Sequence, residues 1–156
     1  EPTPPNWSQV KYVVYLERVA NQTTVRGAAL TNLLEGVTRS KFGSLPGVYV
    51  LPSVGGESIV KQAKKRGLPV LEMAAQVVSL DQAVFAGDLK VQAKVSFSIS
   101  RSHVIKSAIE GNASSIGSVG AAKNPSSLGK LQDMAVDGAV VSAMSKAPTA
   151  IQAAAR

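Results

Sequence analysis

The side chains able to carry out chemistry are few in this sequence of 156 residues. His103 is the only histidine and cysteine is absent, which excludes histidine-centred triads, histidine metal clusters, thiol catalysis and sulfur-ligated metals. A single histidine between two strands is usually an ordinary solvent-facing residue. We therefore expect neither a catalytic nor a metal-binding role for His103.

The carboxylates are spread along the chain, and none has a metal-binding spacing such as D-x-D-x-D. Asp133 and Asp137 share one face of a helix at i, i+4, and paired carboxylates could do acid/base work. Lys130 and Lys146 lie on the same helix, however, which favours a solvated charged face. The sequence therefore predicts no catalytic residue, no metal site and no cofactor.

Two glycine-containing stretches, GSLPGVYV and SVGGESIVK, lie near the start of a strand or a helix. Neither has the G-x-x-x-x-G-K-[ST] or G-x-G-x-x-G spacing that brings backbone amides to phosphate. The second could bind an anion at a helix N-terminus, but Glu57 stands where that anion would lie. An enzyme based on Ser, Thr, Tyr, Lys or backbone groups remains a third hypothesis, and its mark would be a deep pocket with convergent polar groups.

Basic side chains are the strongest chemical signal, because 17 Lys and Arg against 10 Asp and Glu give a formal charge of +7. Such a charge favours anionic partners such as nucleic acid, lipid headgroups or acidic proteins. The densest cluster is KQAKKR, and Lys106 and other lysines of the later strands could extend it. The candidate interaction patch consists of Lys61, Lys64, Lys65, Arg66, Lys90 and Lys94.

A second interpretation of KQAKKR is a solvated helix end whose cations complement the helix dipole, and we favour it. Aromatic residues make up only 4% of the chain and are scattered, so the basic groups lack the stacking platform of single-strand binders. Nucleic acid is therefore disfavoured as a partner. No apolar run approaches the roughly 20 residues of a membrane-spanning helix.

Apolar periodicity and turn residues predict the elements that must position these groups. Asn or Thr of NQTT is expected to cap the first helix, and Gly67 to cap the second. The expected elements are a strand at 11–19, a helix at 25–41, a turn, short strand and stop at 45–52, a helix at 55–67, strands at 68–82, 87–100 and 103–117, and a helix at 127–146. Within the strand at 68–82, residues 71–75 could instead be helical on propensity.

The fourth strand, GDLKVQAKVSFSIS, alternates between apolar and polar residues along its whole length. One face is entirely apolar, and the other carries Lys90, Gln92, Lys94, Ser96 and Ser98. A short link joins this strand to the fifth, so the two must be antiparallel neighbours. We expect helices to cover the sheet mainly where its strands run parallel, which leaves one face of the hairpins in water.

The last helix should lie close to the sheet, because its apolar stripe consists mostly of small residues. That stripe is Leu128, Leu131, Met134, Ala135, Gly138, Val141 and Ser145. A flexible loop at 118–129 would precede the helix, and Pro148 would end it before a frayed turn. The expected domain organisation is a Pro-rich extended tether at 1–10, one α/β domain at 11–147 and a C-terminal tail at 148–156.

The order β-α-β-α-β-β-β-α places the chain in the α/β class, in the wider sense α+β. It predicts a mixed five-stranded sheet with three helices and a long antiparallel C-terminal hairpin. In this order of elements, and in the Asn21 and Thr23 of VVYLERVANQT, the chain resembles the small α/β domain of the TolB amino-terminal domain and of envelope lipoproteins of the curli-secretion and flagellar-accessory kind. The resemblance extends over most of 11–146.

The resemblance implies a non-enzymatic module of the bacterial periplasm or outer membrane that binds other proteins or assembles into rings. The chain lacks the lipid-bearing cysteine and shows no pore-forming hairpin segment. We predict a non-catalytic protein-interaction or assembly domain of the cell envelope, whose exposed strand faces and edges offer docking groups. Its partner would be another protein, a second copy, or an upstream domain of a longer chain. The second hypothesis is a basic domain that binds nucleic acid or anionic surfaces.

Overall fold

The structure is a computed structural model that describes residues 3–156, so Glu1 and Pro2, where the expected tether begins, lie outside the described residues. Along this part of the chain, five strands form one sheet and four α-helices pack against it. The elements are β1 (Tyr12–Asn21), α1 (Gly27–Gly43), β2 (Val48–Val50), α2 (Glu57–Lys65), β3 (Val70–Phe85), β4 (Asp88–Arg101), β5 (Val104–Ser118), α3 (Pro125–Met144) and α4 (Ala147–Ala155). The predicted fold class, α+β with a mixed five-stranded sheet, is confirmed.

The sheet changes from parallel to antiparallel pairing across its width, in the order β2-β1-β3-β4-β5. β1 runs parallel to β2 and β3, whereas β3, β4 and β5 are consecutive antiparallel neighbours. Both hairpin turns have two residues at positive φ, Ala86 and Gly87 in the first and Ser102 and His103 in the second. Turns of this kind match the right-handed twist of the strands they join, which suits long hairpins.

Three helices cover one face of the sheet. Leu30 of α1, Ala135 of α3 and Ile151 of α4 belong to one core that also contains apolar residues of β3 and β4. Phe42 of α1 contacts Phe97 of β4, with 5.2 Å between the ring centroids. The alternation predicted for β4 is confirmed, since each of its core-facing residues is at most 1% exposed: Leu89, Val91, Ala93, Val95, Phe97 and Ile99.

α2 lies on the opposite face, at the end of the sheet where β1 and β3 begin. A second, smaller core joins Val13, Leu51, Ile59 and Ala63 beneath it. Trp7 packs against this core and donates from Nε1 to Gln62 Oε1 at 3.2 Å. The expected extended tether therefore does not hold for Trp7–Gln9, which form a turn of 3₁₀ helix.

The loop before α1 has a different hydrogen-bonding arrangement from the one predicted. The N-cap residue of α1 is Arg26, which has a left-handed conformation and makes no side-chain cap. Asn21 acts earlier, because its Oδ1 accepts from the Thr23 N–H at 2.9 Å and its Nδ2 donates to the Val25 carbonyl at 2.9 Å. The predicted helix cap in NQTT is therefore wrong, and Asn21 instead closes the turn that follows β1.

The buried face of α3 differs from the predicted stripe. Met134 is 63% exposed and Val141 is 47% exposed, although both were expected in the core. Both lie on the side of the helix that carries Lys130 and Asp137, so the charged residues mark the outward face and the predicted stripe was turned towards it. The buried residues of the helix are Leu131, Gln132, Ala135, Val136, Ala139, Val140 and Ala143.

The segment between β5 and α3 is more regular than the flexible loop that was predicted. Val119–Lys123 form a 3₁₀ helix. Asn124 Oδ1 accepts from the N–H groups of Ser126 and Ser127 at 3.0 and 3.3 Å, so Asn124 caps α3. The helix consequently begins two residues before the predicted start at residue 127.

The prediction of a frayed turn after Pro148 is wrong. Pro148 lies in the first turn of α4, where proline is favoured because the helix needs no N–H donor there. Arg101 of β4 donates a hydrogen bond to the carbonyl of Ala155 at the other end of this helix. The core-facing side of α4 consists of Ala147, Ala150, Ile151 and Ala154.

Candidate binding surface

Much of one sheet face carries no helix within residues 3–156. α2 covers this face near the start of β3, and beyond it the outward side chains of β3, β4 and β5 lie in cross-strand rows. Gln76, Ser96 and Glu110 form one row, next to the row of Ala74, Ser98 and Ala108. We call this surface the open face, and its members are Ala74, Gln76, Lys90, Gln92, Lys94, Ser96, Ser98, Ala108 and Glu110.

The centre of the open face is a trough of about 540 Å³. Gln22 Nε2 donates to Gln76 Oε1 at 2.7 Å, and Gln76 Nε2 donates to Ser96 Oγ at 2.8 Å, which gives a polar chain from the residue after β1 across β3 to β4. Arg18 of β1 and Glu110 of β5 lie at the two ends of the trough. The floor consists of small side chains: Ala20, Ala74, Ser98 and Ala108.

The structure divides the predicted basic patch into two groups. Four members are exposed on α2 or directly after it: Lys61, Lys64, Lys65 and Arg66. Lys94 is paired with Ser79 of β3, whereas Lys64 lines a groove with Glu72 of β3. The seven residues of strand between these levels span roughly 23 Å. Lys90 lies still farther along β4, so these six residues do not form one continuous patch.

The basic members of the patch also have individual contacts. Lys94 Nζ lies 3.3 Å from Glu110 Oε2 across two strands of the open face. The guanidinium of Arg66 lies 5.0 Å from the ring centroid of Trp7, a cation–π contact at the end of α2. These contacts fix two of the six cations in place, while Lys61 and Lys64 face the groove beside α2.

This groove, of about 670 Å³, runs between α2 and the start of the open face. Glu72 lies in it with a side chain only 17% exposed. Its Oε2 accepts from the His103 N–H at 3.0 Å and lies 3.5 Å from His103 Nδ1. Glu72 therefore fastens the β4–β5 turn to β3, and the other lining residues include Tyr15, Leu51, Val60 and Val70.

The remaining candidates for chemistry are dispersed. Asp133 forms an ion pair with Arg26, which joins α3 to the loop before α1. Burial raises the pKa of Tyr49 above its usual value. Across residues 3–156, no three His, Asp or Glu side chains are grouped so that they could hold a metal ion. That the chain is not an enzyme stays a prediction.

The strand edges are less available than the sequence suggested. The Asn112 N–H of β5 points away from β4 and donates to Ser142 Oγ of α3 at 3.4 Å. Lys146 Nζ lies 3.5 Å from the carbonyl oxygen of Glu110 on the same edge. At the other edge of the sheet, β2 has only three residues. The open face is therefore a more extensive docking surface than either edge.

The fold and this surface define an α+β protein with three helices on one face of a mixed sheet and a largely uncovered opposite face. Within the part of the chain that the structure describes, no helix has both the length and the apolar composition needed to cross a bilayer. No protein-family model and no curated protein matches the sequence.

Several solved structures are similar to this chain. Protein XCC0632 from Xanthomonas campestris (family-model DUF330) has 8% identity and a TM-score of 0.53 over 94% of this chain and 94% of that one. A neuraminyllactose-binding hemagglutinin homolog from Helicobacter pylori has 17% identity and a TM-score of 0.53 over 92% of this chain and 84% of that one. A minor lipoprotein from Acinetobacter baumannii has 10% identity and a TM-score of 0.47 over 87% of this chain and 89% of that one.

The first two likenesses show that the chain has a fold that occurs in bacterial proteins. This agrees with the coarser part of the resemblance seen in the sequence. The lipoprotein, with its lower TM-score, adds nothing to that conclusion. The finer names, TolB and the curli-secretion and flagellar-accessory lipoproteins, stay predictions.

Proposed function

We propose that this chain is a non-catalytic protein-interaction domain of the bacterial cell envelope, in the periplasm or at the outer membrane, and that its open face receives the partner. The observation that carries this proposal is the trough on the open face. The open face lies on the antiparallel strands β3, β4 and β5, and strands paired in this way can keep one face free of covering helices. Another protein can pack on this uncovered face, and the resemblance of the sequence to envelope modules supports the compartment.

The trough suits a protein segment for two physical reasons. Its floor of small side chains loses little rotamer entropy when it is covered. Gln76 offers amide donors and acceptors beside that floor, Arg18 lies at one end of it, and the ion pair of Glu110 with Lys94 lies at the other. Charges arranged in this way fix the orientation of a partner and exclude others. The partner is another protein or a second copy of this chain.

The test compares two serine-to-arginine variants of the full chain. Ser98→Arg places a long cation on the trough floor, whereas Ser40→Arg changes an exposed residue of α1 on the other side of the sheet. Immobilised protein captures partners from envelope extracts, and light scattering on the purified chain detects self-association. Ser98→Arg should weaken the association about tenfold or more, as loss of a central contact does, and Ser40→Arg should leave it unchanged.

Two outcomes would contradict the proposal. In one, the chain is an inert monomer that captures nothing. In the other, Ser98→Arg binds its partner as tightly as Ser40→Arg does. Circular dichroism of both variants distinguishes loss of binding from loss of folding.

A further inference from the structure

The end of the sheet at which β1 and β3 begin carries an excess of cations. α2 ends there, and the β4–β5 turn lies there too, because Glu72 is paired with Ser100 and bonded to His103. We call this surface the basic end, and its exposed cations are Lys11, Lys61, Lys64, Lys65, Arg66 and Lys106. In the described chain none of the six is in an ion pair. The nearby acids are Glu57, the mostly buried Glu72 and the exposed Glu17 of β1.

Large apolar side chains are exposed among these cations. Val54 is 81% exposed on the loop before α2, at the rim of the groove that Lys61 and Lys64 also line. Ile105, just after the β4–β5 turn, is 67% exposed, and Val104 beside it is 55% exposed. The basic end thus combines unpaired cations with protruding aliphatic groups.

Tyr15 connects the two sides of this surface. It is 44% exposed and stands in one cross-strand row with Glu72, Ser100 and Ile105. Three strand spacings separate Tyr15 from Ile105, which is roughly 14 Å. Apolar groups on the α2 side and on the turn side can therefore contact one flat partner at the same time.

We propose that the basic end docks this chain onto an anionic phospholipid surface. Val54 and Ile105 enter the interfacial layer of the membrane, while the lysines around them contact headgroup phosphates. Six unpaired cations against three acids provide the charge complementarity. Polybasic attraction and apolar insertion together give stable peripheral binding, whereas either signal alone is weak. This docking does not depend on the protein partner proposed for the trough.

Nucleic acid fits the basic end less well. It would supply phosphates for the lysines, and its binding would fall with salt in a similar way. It would not provide an apolar environment for Val54 and Ile105, and aliphatic side chains cannot stack on bases as aromatic ones do. A lipid interface accommodates both kinds of side chain, so the observations favour it.

The test is co-sedimentation of the full chain with vesicles of phosphatidylcholine alone or with added phosphatidylglycerol. We expect binding only to the anionic vesicles, and weaker binding as salt rises. Lys61→Gln with Lys64→Gln should weaken binding about 25-fold, because each lysine near an anionic surface changes affinity about fivefold. Val54→Ser with Ile105→Ser, which keeps every charge, should weaken it about tenfold or more.

The matched control removes the same charge from the far end of the sheet. Lys90→Gln with Lys123→Gln should change vesicle binding by less than about twofold, because charges beyond a Debye length are screened. Ser98→Arg should bind vesicles at least as well as the unaltered chain, which distinguishes this docking from the trough interaction.

Four results would overturn the proposal. In the first, the chain does not sediment with anionic vesicles at low salt. In the second, the far-end control weakens binding as much as the Lys61 and Lys64 pair does. Unchanged binding by the Val54 and Ile105 variant would reduce the effect to unspecific charge attraction. Tighter binding to duplex DNA than to anionic vesicles would assign the basic end to nucleic acid.

Discussion

Individual glycines determine how closely α3 approaches the sheet. Gly111 of β5 lies beneath α3, where a Cβ atom would overlap the carbonyl oxygen of Ala139. Gly138 of α3 makes the reciprocal approach, since a Cβ there would lie 2.8 Å from Ala113 Cβ. The helix and strand backbones are therefore in direct contact, and a single added methyl group has no space.

Gly111→Ala should lower the free energy of unfolding by at least about 2 kcal/mol, because the new methyl group must push α3 away from β5. Gly36→Ala in α1 is the matched control, since no atom lies within 4 Å of a Cβ at that position. Alanine is the better helix former, so this control should raise the free energy of unfolding by about 1 kcal/mol. Urea unfolding followed by circular dichroism measures both, and equal midpoints would contradict the argument.

The exposure of the His103 side chain was predictable from the sequence, whereas its backbone hydrogen bond was not. His103 was predicted as a solvent-facing turn residue, and its side chain is 84% exposed. Its backbone N–H nevertheless binds Glu72, which lies 31 positions earlier in the chain. That contact depends on the register of β3 against β4, and no local pattern in the sequence records this register.

At the scale of whole elements, α4 is the main addition to the predicted fold. Its buried residues recur at i, i+3, i+4 and i+7, the period of an amphipathic helix. The segment is short, and Pro148 was interpreted as a stop signal instead of a first-turn residue. This helix, which completes the main core, was therefore not predicted from the sequence patterns.

Ile151→Ala should lower the free energy of unfolding by about 2–4 kcal/mol, because it removes a buried side chain and leaves a cavity. Ile151 is only 1% exposed. Gln152→Ala changes the neighbouring exposed position and should stay within about 0.5 kcal/mol of the unaltered chain. Thermal and urea unfolding compare the two variants. If the last nine residues were a frayed tail, their midpoints would coincide.

The long strands were predictable and the arrangement of the basic residues was not. Period-two alternation persists over the 14 residues of β4, and this length makes the signal strong. The separation of Lys61 and Lys64 from Lys90 and Lys94 depends on where α2 lies along the sheet. Tertiary packing decides that position. The sequence therefore predicted the outward faces of the elements correctly, but it placed two distant groups of cations in one patch.

In the whole molecule, two cores share one strand. Val13 of β1 belongs to the smaller core under α2, and its neighbour Val14 belongs to the larger one on the opposite face. Alternation along β1 thus couples the two faces of the sheet through adjacent residues. A structure coupled in this way should unfold as one unit.

Trp7 provides a probe of that coupling, because it is the only tryptophan and packs against the smaller core. Its fluorescence and the far-ultraviolet circular dichroism should follow the same urea transition. Gln62→Ala removes the hydrogen bond to the indole, so the Trp7 emission of the folded protein should change even before urea is added. A fluorescence transition well below the one seen by circular dichroism would mean that α2 detaches separately.

The contact of α3 with the outer edge of β5 also affects how the molecule behaves when it is crowded. A long, unprotected edge strand is a template on which further copies can add and grow into fibres. Ser142 already accepts from one outward amide of β5, and Lys146 lies against an outward carbonyl. A second molecule would have to displace these two contacts before its own strand could continue the ladder at this part of the edge, so they disfavour fibre growth there.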